Sequence, residues 1–160
     1  MRIRGYRGGD HDAVVALSLR AWPAVFDSVE SVLGPELATR LHGEDWRSYQ
    51  ARSVSEMLAA PGHQRWVAEV DEEVRGFAVA AVIDAERGLG EITMLAVDPA
   101  AQRQGVGLAL TEHATSWLRD TGMRVAVVGT GGDPGHAPAR GLYEAAGYRL
   151  LPIARYFKAL

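Results

Sequence analysis

Six residues, Gln102-Arg103-Gln104-Gly105-Val106-Gly107, carry the plainest chemical signal in the chain. Two glycines, two positions apart, allow unusual backbone angles and keep side chains away from an approaching ligand. If a helix starts here, its first N–H groups have no partner within it and stand at the positive end of its dipole. Such a place holds a phosphate or pyrophosphate. A lone Gly-x-Gly is common in loops, so its meaning depends on its flanks.

The flanks are those of a strand and a helix. Upstream, Glu91-Ile92-Thr93-Met94-Leu95-Ala96-Val97-Asp98 is nearly all apolar or β-branched, as in a strand covered on both sides. Simple alternation places Ile92, Met94 and Ala96 on one face, and Thr93, Leu95 and Val97 on the other. Pro99 cannot donate to a ladder, so the strand should end near Asp98. Downstream, Val106, Leu110, Ala114, Trp117 and Leu118 form an apolar stripe at helical spacing. After Thr121-Gly122, Met123 to Val128 reads as a second buried strand. Strand, helix and strand then make a right-handed βαβ unit.

With these neighbours, the segment resembles the acetyl-coenzyme A motif of the GNAT superfamily of N-acetyltransferases, Gln/Arg-x-x-Gly-x-Gly/Ala after a strand. A second GNAT motif, Ala-x-x-Leu-Tyr-x-x-x-Gly-Phe/Tyr, is matched by Ala139-Arg140-Gly141-Leu142-Tyr143-Glu144-Ala145-Ala146-Gly147-Tyr148. The resemblance is strong from Glu91 to Tyr148 and weaker over the first strand and helix. It implies an α+β fold: a GNAT-like mixed, mostly antiparallel sheet with a central parallel splayed strand pair and helices on both faces. It also implies acetyl-CoA as co-substrate, entering the V between the splayed strands. The backbone of Leu95 and Val97, with Ala96 between them, would line the pantetheine arm. The loop Gln102, Arg103, Gln104, Gly105, Val106, Gly107 and Leu108 would hold the pyrophosphate. Arg103 is either a further charge for a phosphate or a solvated loop residue. His136 stands where many relatives carry an asparagine that touches the cofactor; an imidazole can still donate or accept there.

The implied chemistry is attack of an amine on a thioester. An alkyl amine with a pKa of about 10.4 arrives protonated at neutral pH, so the site must take that proton. It must also stabilise the oxyanion and can protonate the departing thiolate. Glu91, at the start of the central strand, is the candidate base; the plain alternative is a polar strand-start residue. Tyr143, matching the GNAT motif tyrosine, is the candidate acid; the plain alternative is a packing aromatic with an exposed hydroxyl. Asp133 reads as a turn residue and His113 as a structural histidine beside the helix stripe. His11, His42 and His63 have no visible constellation. No metal site is expected. The acceptor side should be walled by residues 24–58, carrying Phe26, Asp27, Glu30, Glu44, Asp45, Trp46 and Tyr49, with Trp22 just before them, and by the loop Asp84–Gly90. Carboxylates beside aromatics suit a cationic amine, but equally describe an ordinary amphipathic helix pair.

Composition sets the bounds. A chain of 160 residues is expected to be one domain, here an N-acetyltransferase domain over 1–160. A net charge of −3 argues against a general nucleic-acid binder. With no cysteine, disulfides, thiolate metal sites and a cysteine nucleophile are excluded. No apolar run approaches a membrane span, and a cytoplasmic location is expected. The expected partner is a small-molecule or peptide amine acceptor, without nucleic acid or membrane, and a homodimer is compatible with the chain. A non-catalytic acyl-CoA-binding or sensing module is the alternative on the same fold. The remaining elements are a first strand over Met1–Tyr6, a helix to Ala21 with Asp10 as its N-cap, two or three short helices, and a hairpin turning at Asp71-Glu72-Glu73. A helix over Ala137–Ala146 ends at Gly147, and two last strands run over Tyr148–Leu151 and Ile153–Lys158.

Overall fold

The computed structural model describes residues 1–160. Strand β1 (Arg2–Gly5) lies at one edge of a five-stranded sheet whose order follows the chain: β2 (His63–Val70), β3 (Glu73–Asp84), β4 (Leu89–Val97) and β5 (Val125–Val128). The first three pairings are antiparallel and β4–β5 is parallel. The β2–β3 turn is two residues, Asp71 and Glu72, at φ 52° and 64°. Positive φ at both positions gives the backbone twist that a tight hairpin needs.

Six helices accompany the sheet. Helices α1 (His11–Ala21), α2 (Pro23–Leu33), α3 (Pro35–His42) and α4 (Trp46–Ala59) precede β2. Pro23 and Pro35 each open a helix, where their missing N–H costs nothing. Gly34 and Gly43, at φ 81° and 76°, end α2 and α3. Helix α5 (Val106–Asp120) joins β4 to β5, and α6 (Ala137–Ala145) follows β5. Gly147, at φ 86°, terminates α6 as expected.

The sheet has one core on each face. On one side, Val106, Leu110, Ala114 and Leu118 of α5 pack against Trp66, Ala78, Ala80 and Ile92. On the other, Val14 and Leu17 of α1 and Val54 and Leu58 of α4 pack against Val67, Phe77, Val79 and Ala96. Each fully buried aliphatic or aromatic side chain contributes about 1.5–3 kcal/mol. Gly76 and Gly90 lie under α5, where a Cβ would run into Leu110 and Leu118 respectively. Helix α3 buries no residue.

Several expectations change. Thr93 is an unpaired bulge: Met94 pairs with Val79 and Ile92 with Ala80, so β4 has one residue more than β3 across that step. Simple alternation therefore fails. Ile92, Leu95 and Val97 face α5, while Met94 and Ala96 face α1 and α4. Glu91 is the third residue of β4 instead of its first. Strand β5 starts at Val125 rather than Met123, and it is not a covered strand: Val125 and Val127 are 49% and 38% exposed. Asp10 occupies the N-cap position of α1, but its carboxylate is taken by Arg4 (2.8 and 2.9 Å) and by the Arg7 N–H (2.7 Å). Finally, Tyr148–Leu151 and Ile153–Lys158 form no strands. Pro152 removes a donor, and apolar residues at both parities leave no single face to set a register.

Candidate active site

The site begins where β4 and β5 part. Their pairing ends at Ile92 with Val128, while β4 continues to Val97. From Thr93 onward the backbone of β4 has no partner on its β5 side, and the chain after Val128 leaves as the loop 129–133. The Thr93 bulge sits at the apex of this V; its hydroxyl donates to the Val79 carbonyl at 3.3 Å. Glu91 lies just behind the apex, opposite Val127. Because Ile92 faces α5, the pleat turns Glu91 to the other face, toward the α1 and α4 layer.

At the open end of the V lies the glycine loop. Gly105 is the N-cap of α5 at φ 83°, with open space where a Cβ would be. Gly107 serves differently: a Cβ there would meet Leu142 of α6 at 3.1 Å and Val97 at 3.5 Å. The first glycine provides a left-handed turn and the second lets α6 and β4 close on α5. The first bond into the helix runs from Ala109 N–H to the Gly105 carbonyl at 3.0 Å. No acceptor within the chain stands in hydrogen-bonding geometry to the N–H groups of Arg103, Gln104, Gly105, Val106, Gly107 or Leu108. Six consecutive unpartnered donors at a helix start favour an anion. Arg103 itself takes a positive φ of 60°, unusual for a side-chain-bearing residue. Gln102 and Gln104 donate back to the carbonyls of Val97 and Ala100, at 3.2 and 3.0 Å.

Asp98 fixes this loop to the body, and the sequence reading assigned it no role. It is 3% exposed. Its carboxylate accepts from the Ala100 N–H (3.0 Å), from Arg20 of α1 (2.5 and 3.1 Å) and from Arg75 of β3 (3.4 Å). The Asp98 N–H donates to the Arg75 carbonyl at 2.8 Å, one step past the Gly76–Val97 pair of the β3–β4 ladder. Burial pushes the Asp98 carboxyl up, but Arg20, the Ala100 N–H and Arg75 outweigh it and hold it below the usual carboxylate range. A depressed pKa means that the carboxylate stabilises the fold above about pH 4 and ceases to do so as pH falls through its folded value. Asp98→Asn is expected to cost about 2 kcal/mol at neutral pH. Urea unfolding checks this, and the difference from wild type should shrink on acidification toward pH 3.

Tyr143 lies in α6 next to Leu142, the residue that touches Gly107. Burial, reinforced by Tyr148, pushes its phenol up to about 12. The two rings are 6.1 Å apart. Tyr148 shares a hydrogen bond with Thr115 of α5 at 2.7 Å, whereas the Tyr143 hydroxyl has no partner in the chain. The loop before α6 holds a pair that sequence reading left separate: His136 Nδ1 lies 2.5 Å from Asp133 Oδ1. Burial raises the Asp133 carboxyl, but the Ser28 hydroxyl and His136 pull it below its ordinary range. The ionised carboxylate makes His136 Nδ1 the donor and leaves Nε2 free. Arg140 pins the same loop through the carbonyls of Gly131 and Asp133, at 2.7 and 2.8 Å. The loop reaches α2 through Gly135 N–H, which donates to Ser28 at 2.9 Å. The Asp-x-x-His spacing was the visible signal for this pair; nothing local marks the Arg140 contacts.

Among α2, α3 and α4 the aromatics pack on one another. Phe26 stacks on Trp46 at 4.5 Å and meets His42 and Tyr49 edge-on at 4.9 and 6.4 Å. Burial lowers the His42 imidazole. His42 thus does have a constellation. Arg47 lies over the Trp46 ring at 4.5 Å, and Asp45 caps α4 by accepting from the Arg47 N–H and Ser48. These two groups are already engaged, while Asp27 and Glu30 on α2 are exposed and in no ion pair. Trp22 belongs to the α1–α4 core.

Comparison with known proteins agrees with this geometry. Residues 29–148 match the acetyltransferase (GNAT) family. A mycothiol acetyltransferase of Amycolatopsis mediterranei (strain U-32) is 29% identical over 154 residues, covering 88% of this chain and 43% of that protein. The chain thus spans less than half the length of that curated relative. The aminoglycoside antibiotic 6'-N-acetyltransferase of Acinetobacter haemolyticus superposes with a TM-score of 0.69 at 15% identity, covering 100% of this chain and 99% of that one. The PaiA N-acetyltransferase of Thermoplasma acidophilum, solved with coenzyme A, gives 0.69 at 13% identity over 96% and 92%. At these identities the two structures establish a shared fold.

Proposed function

The chain belongs to the acetyltransferase (GNAT) family, and from that premise we propose that it transfers the acetyl group of acetyl-CoA to a primary amine by direct attack in a ternary complex. The observation that carries this reading is the run of six unpartnered N–H groups from Arg103 to Leu108 at the open end of a splayed strand pair. That run suits a diphosphate, and the free edge of Leu95, Ala96 and Val97 suits a pantetheine amide chain laid as a third strand. Gln102 and Gln104 shape the loop through their bonds to Val97 and Ala100.

With the thioester at the apex, the amine nitrogen attacks the carbonyl carbon from the α1–α4 side. Glu91, turned to that face, takes the amine proton directly or through a water. The tetrahedral intermediate then expels the thiolate, and the Tyr143 phenol supplies its proton. A phenol held near 12 keeps that proton at every ordinary pH. His136, held by Asp133 through Nδ1, keeps Nε2 for a contact with the coenzyme. The acceptor is an amine whose cationic form is drawn to the α2 side by Asp27 and Glu30. Holding both reactants in one cleft supplies much of the rate.

Two measurements test the transferase reading together. Acetyl-CoA at about 100 times its Kd should stabilise the fold by about 2.7 kcal/mol, read as a rise in Tm. Thiol release from acetyl-CoA should accelerate with at least one member of an amine panel, with mass spectrometry finding the acetylated product. A Tm shift without thiol release from any amine would overturn the transferase in favour of a sensing or carrier module.

A further inference from the structure

The loop after β5 is fitted against α2 with no room to spare. Gly135 lies flat on that helix: a Cβ there would stand 2.6 Å from the Ala24 carbonyl oxygen, 2.6 Å from the Ser28 Cβ and 3.0 Å from the Val25 Cα. Its N–H donates to the Ser28 hydroxyl at 2.9 Å. The hydroxyl's own proton is left for the Asp133 carboxylate, on which Ser28 bears directly. Asp133 Oδ1 holds His136 Nδ1 at 2.5 Å, and Oδ2 is buried without another partner. A Cβ at Gly131 would collide with Asp133 and His136, so the loop closes tightly on this pair. One chain of contacts thus runs from α2 through Ser28 and Asp133 to His136.

Helix α2 depends on that anchor. Of its 11 residues only Phe26 is buried, and Phe26 belongs to neither sheet core. A helix with so little buried apolar surface opens locally at small cost in free energy. Its exposed Asp27 and Glu30 are the charges proposed above to draw the amine, and His136 is the proposed contact with the coenzyme. Resting on that coenzyme reading, we infer that Ser28 is a positioning residue that couples the two substrates. Coenzyme held against His136 steadies the loop 131–136. The loop, through Ser28 and Gly135, then holds α2 where Asp27 and Glu30 meet the amine. Such coupling is reciprocal, so each substrate tightens the other by the same factor. A link made of one hydrogen bond and a close backbone fit supports a factor of about ten.

Hydrogen exchange read by mass spectrometry, with coenzyme A as the probe, tests the coupling before any acceptor is known. In the unsubstituted chain, saturating coenzyme A should slow exchange of the α2 amides about tenfold. In Ser28→Ala it should still raise Tm and still protect the start of α5, but slow α2 less than about twofold. Gly135→Ala, which forces the loop off α2, should behave in the same way. Ser31→Ala, at an exposed site on the same helix, should keep the full slowing. A residue that only stabilised α2 would speed its exchange equally with and without coenzyme A. Undiminished slowing in Ser28→Ala would therefore overturn the proposal. So would α2 exchange that ignores coenzyme A in the unsubstituted chain while Tm rises. If coenzyme A raises no Tm at all, the transferase reading falls and this inference falls with it.

Discussion

Tyr143→Phe is expected to lower kcat about 100-fold while leaving the affinity for acetyl-CoA nearly unchanged. The phenylalanine ring keeps the contact with Tyr148, and the lost hydroxyl has no partner in the chain, so the fold should tolerate the change. What disappears is the proposed proton donor to the leaving thiolate. Burial holds the phenol near 12. The donor form therefore persists through neutral and mildly alkaline pH and is lost only as pH rises through that value. Wild-type activity should show no alkaline loss from this group below about pH 11. Glu91→Gln is the matching change on the amine side and should also lower kcat by about 100-fold. Steady-state kinetics on the two variants and their combination reads both roles. Wild-type kcat in Tyr143→Phe would remove the tyrosine from the reaction, whatever becomes of Glu91.

The second large effect is expected at the glycine loop. Gly105→Val should weaken acetyl-CoA binding at least 100-fold, measured by calorimetry. Two separate costs combine. At φ 83° a β-branched residue is strained by about 1–2 kcal/mol. The new side chain also stands among the six donors from Arg103 to Leu108, where it would crowd the diphosphate proposed to bind there. Gly105→Ala separates these costs, because it keeps most of the backbone strain with a much smaller obstruction. Full affinity in the valine variant would move the diphosphate elsewhere. Gly107 would be a poor substitute in this experiment, since a Cβ there presses on Leu142 and disturbs α6 before any ligand is present.

The two glycines also mark how far the sequence could be read. Periodicity and Gly-x-Gly located the β4–loop–α5 unit, and the helix stripe Val106, Leu110, Ala114 and Leu118 is buried as expected. These signals are local and repeat at the period of one element. The Thr93 bulge is different. It is set by how β4 registers against β3, which no residue in β4 announces, and it reverses the facing assigned to Ile92. Asp98, Arg20 and Arg75 are likewise far apart along the chain and meet only after the sheet and α1 have formed. The exposed half of β5 went unforeseen because Val125-Ala126-Val127-Val128 has the composition of a covered strand. Composition reports what a strand can bury, not whether a neighbour arrives.

Helix α3 suggests how such a molecule changes over time. It buries no residue of its own and lies against α2, with His42 wedged between Phe26 and Tyr49. Most substitutions along it therefore leave the sheet, the bulge and the glycine loop untouched. Drift in this outlying stretch is cheap in stability, whereas drift in β4 is not. Sequence change is thus tolerated in α3 far more readily than in β4, whose side chains fill both cores.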